Sequence, residues 1–175
     1  MKKIFLLSII PVFLILSSCK KETPEGNIYH KQINISITAN ETVPSVGLYG
    51  DSVLYVNNEK FIVQTYSNTF RIGMGDFSSN VEFGKTGQNL KIFNLNEEIN
   101  QLAVSSWSYS GASGDLITPG SGDKYVAFRI KPDENIDKSY YGWMKLNFAS
   151  NAKTITIIEY AYNQNVNESI KVGQK

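Results

Sequence analysis

The chain has 175 residues, a formal net charge of +1, one cysteine and one histidine. This length is typical of one domain, and the balance of 17 basic and 16 acidic side chains argues against nucleic acid as a partner. One cysteine excludes an intramolecular disulfide and a cysteine-rich metal site. A chain of this size can bury about two thirds of its unfolded surface, so it needs no such cross-link.

The first nineteen residues have the composition of an export signal. Lys2 and Lys3 precede an apolar run over 4–16, which is too short to span a bilayer comfortably. The run ends in the letters LSSC, with small side chains before Cys19. This pattern resembles a bacterial lipoprotein signal with its lipobox, which implies cleavage before Cys19 and acylation of that cysteine. The alternative is an ordinary signal peptide or an anchoring helix in which the cysteine is incidental.

The chain is therefore predicted to have three parts. Residues 1–18 form the signal peptide, 19–27 form a lipidated N-terminus with a flexible polar tether, and 28–175 form the folded domain. Loss of two leader lysines leaves 15 basic against 16 acidic side chains, a net charge of −1. Each buried methylene of an acyl chain contributes about 0.8 kcal/mol, so several chains hold a protein firmly on a membrane. The expected location is the cell envelope, on the outer membrane of a Gram-negative bacterium.

Short alternating segments separated by turn residues fill the first half of the domain. Ile33, Ile35 and Ile37 fall on one face at period two, which is typical of a half-buried strand. The segment 73–87 is rich in glycine and polar residues and predicts a long connection. The predicted strands are 28–39, 52–56, 60–66, 69–74 and 89–95, with a broken edge segment at 40–50.

The second half contains the strongest strand signals. Residues 154–162 begin with five β-branched side chains, and 140–148 alternate in burial preference. Turn residues at 150–152 join these two segments into a predicted hairpin. The segment 110–123 is built from Gly, Ser and Asp and predicts a flexible loop. The other predicted strands are 102–109 and 124–131.

No segment after Cys19 has the 3.6-residue period of an amphipathic helix, and no internal repeat is present. About ten strands punctuated by turns predict an all-β fold. The expected architecture is a single β-sandwich or jelly-roll-like domain.

Four short motifs carry a resemblance. They are 125–129 (YVAFR), 141–143 (YGW), 160–162 (YAY) and 170–173 (IKVG). Over about residues 95–173 the chain resembles a broad group of secreted bacterial β-sandwich proteins with a Y-G-W … A-Y … I-x-x-G pattern. The resemblance implies a fold and an exported location but no activity. It also implies a structural framework, made of Tyr141, Gly142, Trp143, Tyr160, Ala161 and Gly173.

Aromatic side chains outside that framework are candidates for ligand binding. Exposed rings can stack on the C–H faces of sugars while amide side chains bond to hydroxyl groups. Tyr141, Trp143 and Tyr160 are expected in the core. Trp107 and Tyr109 lie beside the predicted 110–123 loop and are expected to contact a ligand.

The spacing of Asp133, Asn135 and Asp137 would let alternate oxygens surround a calcium ion. Lys138 stands where an EF-hand loop needs glycine, and Met144 where it needs glutamate, so an EF-hand is excluded. A looser calcium site is the weaker alternative to a solvated acidic turn, and no other cofactor is predicted.

The sequence contains no arrangement of side chains that is recognisable as a catalytic site. The single histidine, His30, lies near the tether and is expected at the surface, although a triad could still assemble from distant positions. A hydrolase would need two carboxyl groups across a cleft, and the candidates are Asp115, Asp123, Glu97 and Glu159.

Glu159 interrupts a run of isoleucines. If its face is buried it needs a cationic partner such as Arg129 or Lys145, and a structural ion pair is favoured over a catalytic acid.

The sequence therefore predicts a lipid-anchored envelope protein that acts as a non-catalytic binding or structural module. The alternative is a glycan-binding module of a surface polysaccharide-handling system, and a carboxylate-dependent hydrolase is the third hypothesis. The predicted partners are the membrane, through the lipid anchor, and a glycan or an envelope protein.

Overall fold

A computed structural model describes residues 27–43, 47–66, 69–74, 80–112, 117–132 and 137–175. Within these ranges the chain forms strands, turns and irregular segments, and it contains no helix. The strands are β1 (Ile28–Thr38), β2 (Glu41–Val43), β3 (Gly47–Val56), β4 (Glu59–Tyr66), β5 (Thr69–Met74), β6 (Val81–Thr86), β7 (Asn89–Leu90), β8 (Ile92–Phe93), β9 (Glu98–Ile99), β10 (Ser106–Ser108), β11 (Ser110–Ala112), β12 (Asp123–Ile130), β13 (Tyr140–Phe148), β14 (Thr154–Asn163) and β15 (Ile170–Lys171).

Thirteen of these strands belong to one mostly antiparallel sheet. Its order is β1-β14-β13-β12-β6-β7-β11-β5-β4-β3-β2, with β10 beside β6 and β8 beside β12, while β9 pairs with β15 separately. Because β1 also contacts β3 and β4, the sheet folds over so that its two halves face each other. The predicted all-β, sandwich-like class is confirmed. The strands outnumber the ten or so predicted because the predicted segment 89–95 is divided into β7 and β8, and because β9 has only two residues, too few to show a period. The remaining additional strands, β2, β6 and β11, lie in segments that were predicted as loops or as a broken edge.

The main core lies between the two halves of the sheet. Phe61 of β4 meets Phe83 of β6 with ring centroids 5.8 Å apart, and Phe70 of β5 meets Phe148 of β13 at 5.4 Å. All four rings are fully buried. Side chains from the two layers therefore interdigitate, as the inner faces of a β-sandwich do.

A second core covers the opposite face of β12, β13 and β14. Trp143 is fully buried there, and its Nε1 donates a hydrogen bond to the backbone carbonyl of Gln174 at 3.2 Å. The ring of Tyr125 meets the Trp143 indole edge-on at 5.8 Å. Tyr141, expected in the core, is buried in this cluster, and Tyr160 is buried in the main one. The buried members of the second core are Phe93, Ile99, Ala127, Tyr141, Trp143, Ala161, Ile170 and Val172.

A β-bulge in β14 decides which side chains enter which core. Lys145 pairs with Glu159 and Leu146 pairs with Ile157, so Ile158 is the extra residue. Strict alternation would put Glu159 on the same face as Ile157. The bulge reverses the phase, so Tyr160 joins Ile157 in the main core and Glu159 lies on the face of the second core.

Two loop and strand boundaries differ from the sequence prediction. The predicted connection over 73–87 contains β6, in which Val81, Glu82, Phe83 and Gly84 are consecutively buried. A strand covered on both faces shows no alternation of apolar and polar residues. The glycine in β6 also made this segment look like a loop. The predicted strand 102–109 is reduced to β10, because the chain before it forms turns over the second core.

The small residues of the Y-G-W and A-Y motifs lie where two strands and a ring approach closely. A Cβ built on Gly142 would lie 2.6 Å from the backbone carbonyl oxygen of Ala161 and would also collide with the Phe128 ring. Ala161 itself is fully buried. Gly173 follows β15 with φ of +86°, a conformation that favours glycine.

Gly142→Ala is expected to destabilise the protein by about 1–3 kcal/mol, since the carbonyl of β14 cannot move without breaking the ladder. Urea unfolding followed by tryptophan fluorescence measures the change. Gly73→Ala is the control, because its backbone lies outside the left-handed region and a Cβ there would come no closer than 3.3 Å to a neighbour, the Cβ of Ser110. An equal or larger loss at Gly73 would contradict the steric explanation.

Candidate functional site

A cleft of about 630 Å³ opens where β12 ends and β13 begins. One wall is the turn that follows β9, and the other is the loop that follows β14. The loop wall is held by Asn167, whose Oδ1 accepts a hydrogen bond from the Ser139 backbone at 2.9 Å and whose Nδ2 donates to the Asp137 carbonyl at 2.6 Å. The lining residues are Asn100, Gln101, Leu102, Arg129, Asp137, Ser139, Tyr141 and Asn167.

Arg129 forms the floor of the cleft. It lies on β12 between its cross-strand neighbours Glu82 of β6 and Tyr141 of β13. Its Nε and Nη2 donate to the carboxylate of Glu82, which is only 6 % exposed. Lys131 Nζ lies 4.0 Å from the same carboxylate. The guanidinium is therefore fixed in position, and its charge is balanced by a buried anion.

Gln101 is oriented by two donors from the sheet. Nη1 of Arg129 donates to Gln101 Oε1 at 2.6 Å, and the hydroxyl of Tyr141 donates to the same oxygen at 3.2 Å. Among the described residues, no acceptor bonds to Gln101 Nε2. With its oxygen fixed, the side-chain amide presents two N–H donors at the wall of the cleft.

Trp107 supports this network from the side. Its ring lies beneath the guanidinium of Arg129 at 5.0 Å and 5.8 Å from the ring of Tyr141, and its Nε1 donates to the Gln101 carbonyl at 3.3 Å. Trp107 was expected to contact a ligand together with Tyr109. Tyr109 is 43 % exposed, and no ring contact between the two is present in the described ranges. The 110–123 loop includes β11, and its residues 113–116 lie outside the described part.

The site residues missed from the sequence are Gln101, Arg129 and Tyr141. Arg129 alternates with the buried Phe128 and Ile130, which would have placed its side chain on the opposite face of the sheet. No pattern marked Gln101, because it reaches Arg129 and Tyr141 only through the path of a turn.

A second polar aromatic surface lies on the outer face of β3 and β4. The rings of Tyr49 and Tyr66 are 5.6 Å apart, and Gln64 bonds to both hydroxyls, at 3.1 Å and 3.2 Å. Tyr49 in turn donates to Asp51 at 2.6 Å. A pocket of about 370 Å³ opens beside Tyr49 and Asp51. It is smaller than the cleft and lined mainly by polar groups, and every polar group in this chain of bonds already has a partner, so the cleft is the better candidate.

Neither a protein-family model, nor a curated protein, nor a solved structure matches this chain. None of the described residues forms a helix of the length and apolarity that a bilayer crossing requires. The function has to be inferred from the geometry of the cleft together with the sequence.

Glu159 is 8 % exposed and lies between a lysine ammonium group and an imidazole ring. Its Oε2 is 2.8 Å from Nε2 of His30 and 2.7 Å from Nζ of Lys175. Burial raises the pKa of Glu159, but the hydrogen bonds from Lys175 and His30 outweigh it, so the net pKa is lowered. The expected partners have other anions, since Arg129 pairs with Glu82 and Lys145 pairs with Asp123. His30, expected at the surface, is half-buried in this pair.

The two other described members of the hydrolase set, Asp123 and Glu97, are also held as anions by their own partners. Hydrogen bonds from Lys145 and then Asn147 lower the pKa of Asp123. Hydrogen bonds from the side chain and the backbone of Asn94 lower the pKa of Glu97. A general acid needs a raised pKa, so these groups are arranged as structural anions.

The calcium candidates follow β12 along the chain. Asp133 and Asn135 lie outside the described residues, as does Asp115 of the hydrolase set. Asp137 is exposed and accepts the bond from Asn167 through its backbone. The described residues contain no group of three His, Cys, Asp or Glu side chains that could hold a metal ion.

Glu159→Gln is expected to reduce the free energy of unfolding by about 1–3 kcal/mol at neutral pH, since it removes the charge from two hydrogen-bonded pairs. Because the folded pKa is lowered, this stabilisation is present above the ordinary value of 4.5 and is lost as the pH falls through the folded pKa.

The difference between wild type and Glu159→Gln should therefore shrink between pH 5 and pH 3 in urea-unfolding curves. Glu41→Gln, on the exposed strand β2, is the control and should change stability little at either pH. A difference that stays constant in acid would contradict the ion-pair explanation.

Proposed function

We propose that this protein is a lipid-anchored, non-catalytic binding module of the cell envelope, and that the cleft over Arg129 binds a hydroxyl-rich glycan segment. The observation that carries the proposal is the Gln101 amide, whose oxygen is held by Arg129 and Tyr141 while its N–H groups line the cleft. A donor fixed before binding loses little conformational entropy when it bonds to a ligand.

The chemistry of the cleft favours hydroxyl groups over anions. Three of the five N–H donors of Arg129 are already bonded, two to Glu82 and one to Gln101, so an anion would find few donors left there. The amide of Gln101 and the hydroxyl of Tyr141 can exchange neutral hydrogen bonds with sugar hydroxyls. Leu102, on the rim and 90 % exposed, offers an apolar surface for the C–H groups of a sugar ring.

The lipobox supports the anchor. Cys19 is the only cysteine, and it stands where the apolar leader ends. The domain begins at β1, so only a short polar segment separates the acylated residue from the first strand. A binding cleft on such a domain would be held close to the envelope surface.

Cys19→Ser is expected to prevent anchoring of the mature protein in the outer membrane, because the thiol that receives the diacylglyceryl group is lost. Detergent-phase partitioning and sucrose-gradient fractionation measure the change, with Ser18→Thr as a matched substitution that keeps the cysteine. A Cys19→Ser protein with the mobility of the mature form that still floats with membranes would contradict the lipid anchor.

Gln101→Ala is expected to weaken glycan binding about fivefold, since one oriented neutral hydrogen bond contributes about 1 kcal/mol. Affinity gels with envelope polysaccharides identify a ligand, and calorimetry then gives its Kd for each variant.

Gln64→Ala is the matched control, because it removes the same side chain from the outer face of β3 and β4. Loss of binding in Gln64→Ala with normal binding in Gln101→Ala would place the site on that face instead. No retardation of the wild type by any polysaccharide would overturn glycan binding altogether.

A further inference from the structure

The folded domain joins the tether at one defined end of the sheet. The backbone carbonyl of Asn27 accepts a hydrogen bond from the Gln164 amide at 2.7 Å, and Ile28 pairs with Asn163 at the end of β14. The first described residue is therefore fixed beside the loop that follows β14. Any chain that comes from Cys19 must reach the domain at this point.

The cleft lies at the same end. β13 starts at Tyr140 opposite Ile130, the last residue of β12, and Arg129 and Tyr141 are the next pair inward. Asn167, in the wall of the cleft, belongs to the loop that Asn27 contacts. β12 is three strands away from β1, so the cleft is about 15 Å from the start of the domain.

Two exposed apolar side chains mark this end. Leu102 is 90 % exposed on the rim of the cleft. Val166 is 39 % exposed and precedes Asn167 in the opposite wall. A leucine so fully exposed gains free energy from any contact that removes it from water, about 25 cal/mol for each Å² of apolar area.

The length of the tether decides which end can meet the membrane. Eight residue steps separate Cys19 from Asn27, and even fully extended they span at most about 29 Å. From Thr154 to Asn163, β14 makes nine residue steps and is about 30 Å long, so only a fully extended tether could bring the turn before Thr154 to the membrane. The cleft end, in contrast, can lie on the bilayer with any tether conformation.

We propose that the cleft end is the membrane-docking face, and that Leu102 and Val166 contact the headgroup region of the bilayer that holds the anchor. This inference rests on the acylation of Cys19 in the proposed function. The docked cleft opens among the lipid headgroups, so its hydroxyl-rich ligand is the sugar headgroup of a membrane lipid rather than a chain distant from the membrane.

The test uses the acylated full-length mature protein in phosphatidylethanolamine–phosphatidylglycerol vesicles that contain a lipid with a nitroxide on its headgroup. Because acylation consumes the only natural thiol, Leu102→Cys gives one site for a fluorescent label. Lys153→Cys, exposed in the turn before β14, is the matched control at the far end. Val166→Cys gives a second, independent position on the docking face.

The labels at 102 and 166 are expected to be quenched several-fold more strongly than the label at 153. Equal quenching at the three positions, in protein that floats with the vesicles, would overturn the orientation and leave the lipid anchor and glycan binding standing. Protein that stays in solution and labels at Cys19 would overturn the anchor and the docking together. In vesicles that also contain a glycosyl diacylglycerol, Gln101→Ala is expected to lower the quenching at 102 and 166. Quenching in these vesicles that is unaffected by Gln101→Ala would overturn the lipid-headgroup ligand and leave the docking face standing.

Discussion

The ladder of β12, β13 and β14 has an apolar core on each of its faces, and most of the buried apolar side chains in the described residues belong to one of these two cores. Trp143 fixes the second core, because its ring is fully buried and its Nε1 is bonded to the backbone of the C-terminal tail. The bulge at Ile158 sets which residues of β14 face each of the two cores. It also brings Glu159 to the second face, where Lys175 compensates the buried charge and His30 forms a hydrogen bond to it. These two contacts tie the tail and β1 to the sheet.

The cleft is a consequence of where the second core stops. Arg129 and Tyr141 face the same side as Trp143 but lie one step nearer the end of the strands, beyond the covering segments. A buried Arg–Glu pair adds little net stability, because desolvation of both charges offsets their attraction. What the pair of Arg129 and Glu82 provides is geometry: it fixes the guanidinium, and through it the amide of Gln101.

Long strands with one or two clear faces could be predicted from the sequence, and 69–74, 124–131, 140–148 and 154–162 agree with β5, β12, β13 and β14 to within one residue at each end. β6 could not, because burial on both faces removes the period that identifies a strand. The bulge in β14 could not be predicted either, because one extra residue changes which face of the sheet the following side chains lie on without changing the composition of the segment. The partners of Glu159 could not be predicted because they are distant in sequence: His30 and Lys175 are 129 and 16 positions away along the chain.

The sequence alone determined the all-β class and the burial of the Y-G-W motif, and it predicts an export signal that ends in Cys19, because each of these depends on local composition and period. Only the tertiary structure decided which polar side chains form a site. Gln101 meets Arg129 and Tyr141 across 28 and 40 residues, and Trp107 lies under the guanidinium instead of beside Tyr109. Such contacts are set by the order of strands in the sheet and by the path of the turns. Neither can be predicted from the alternation of apolar and polar residues in a single segment.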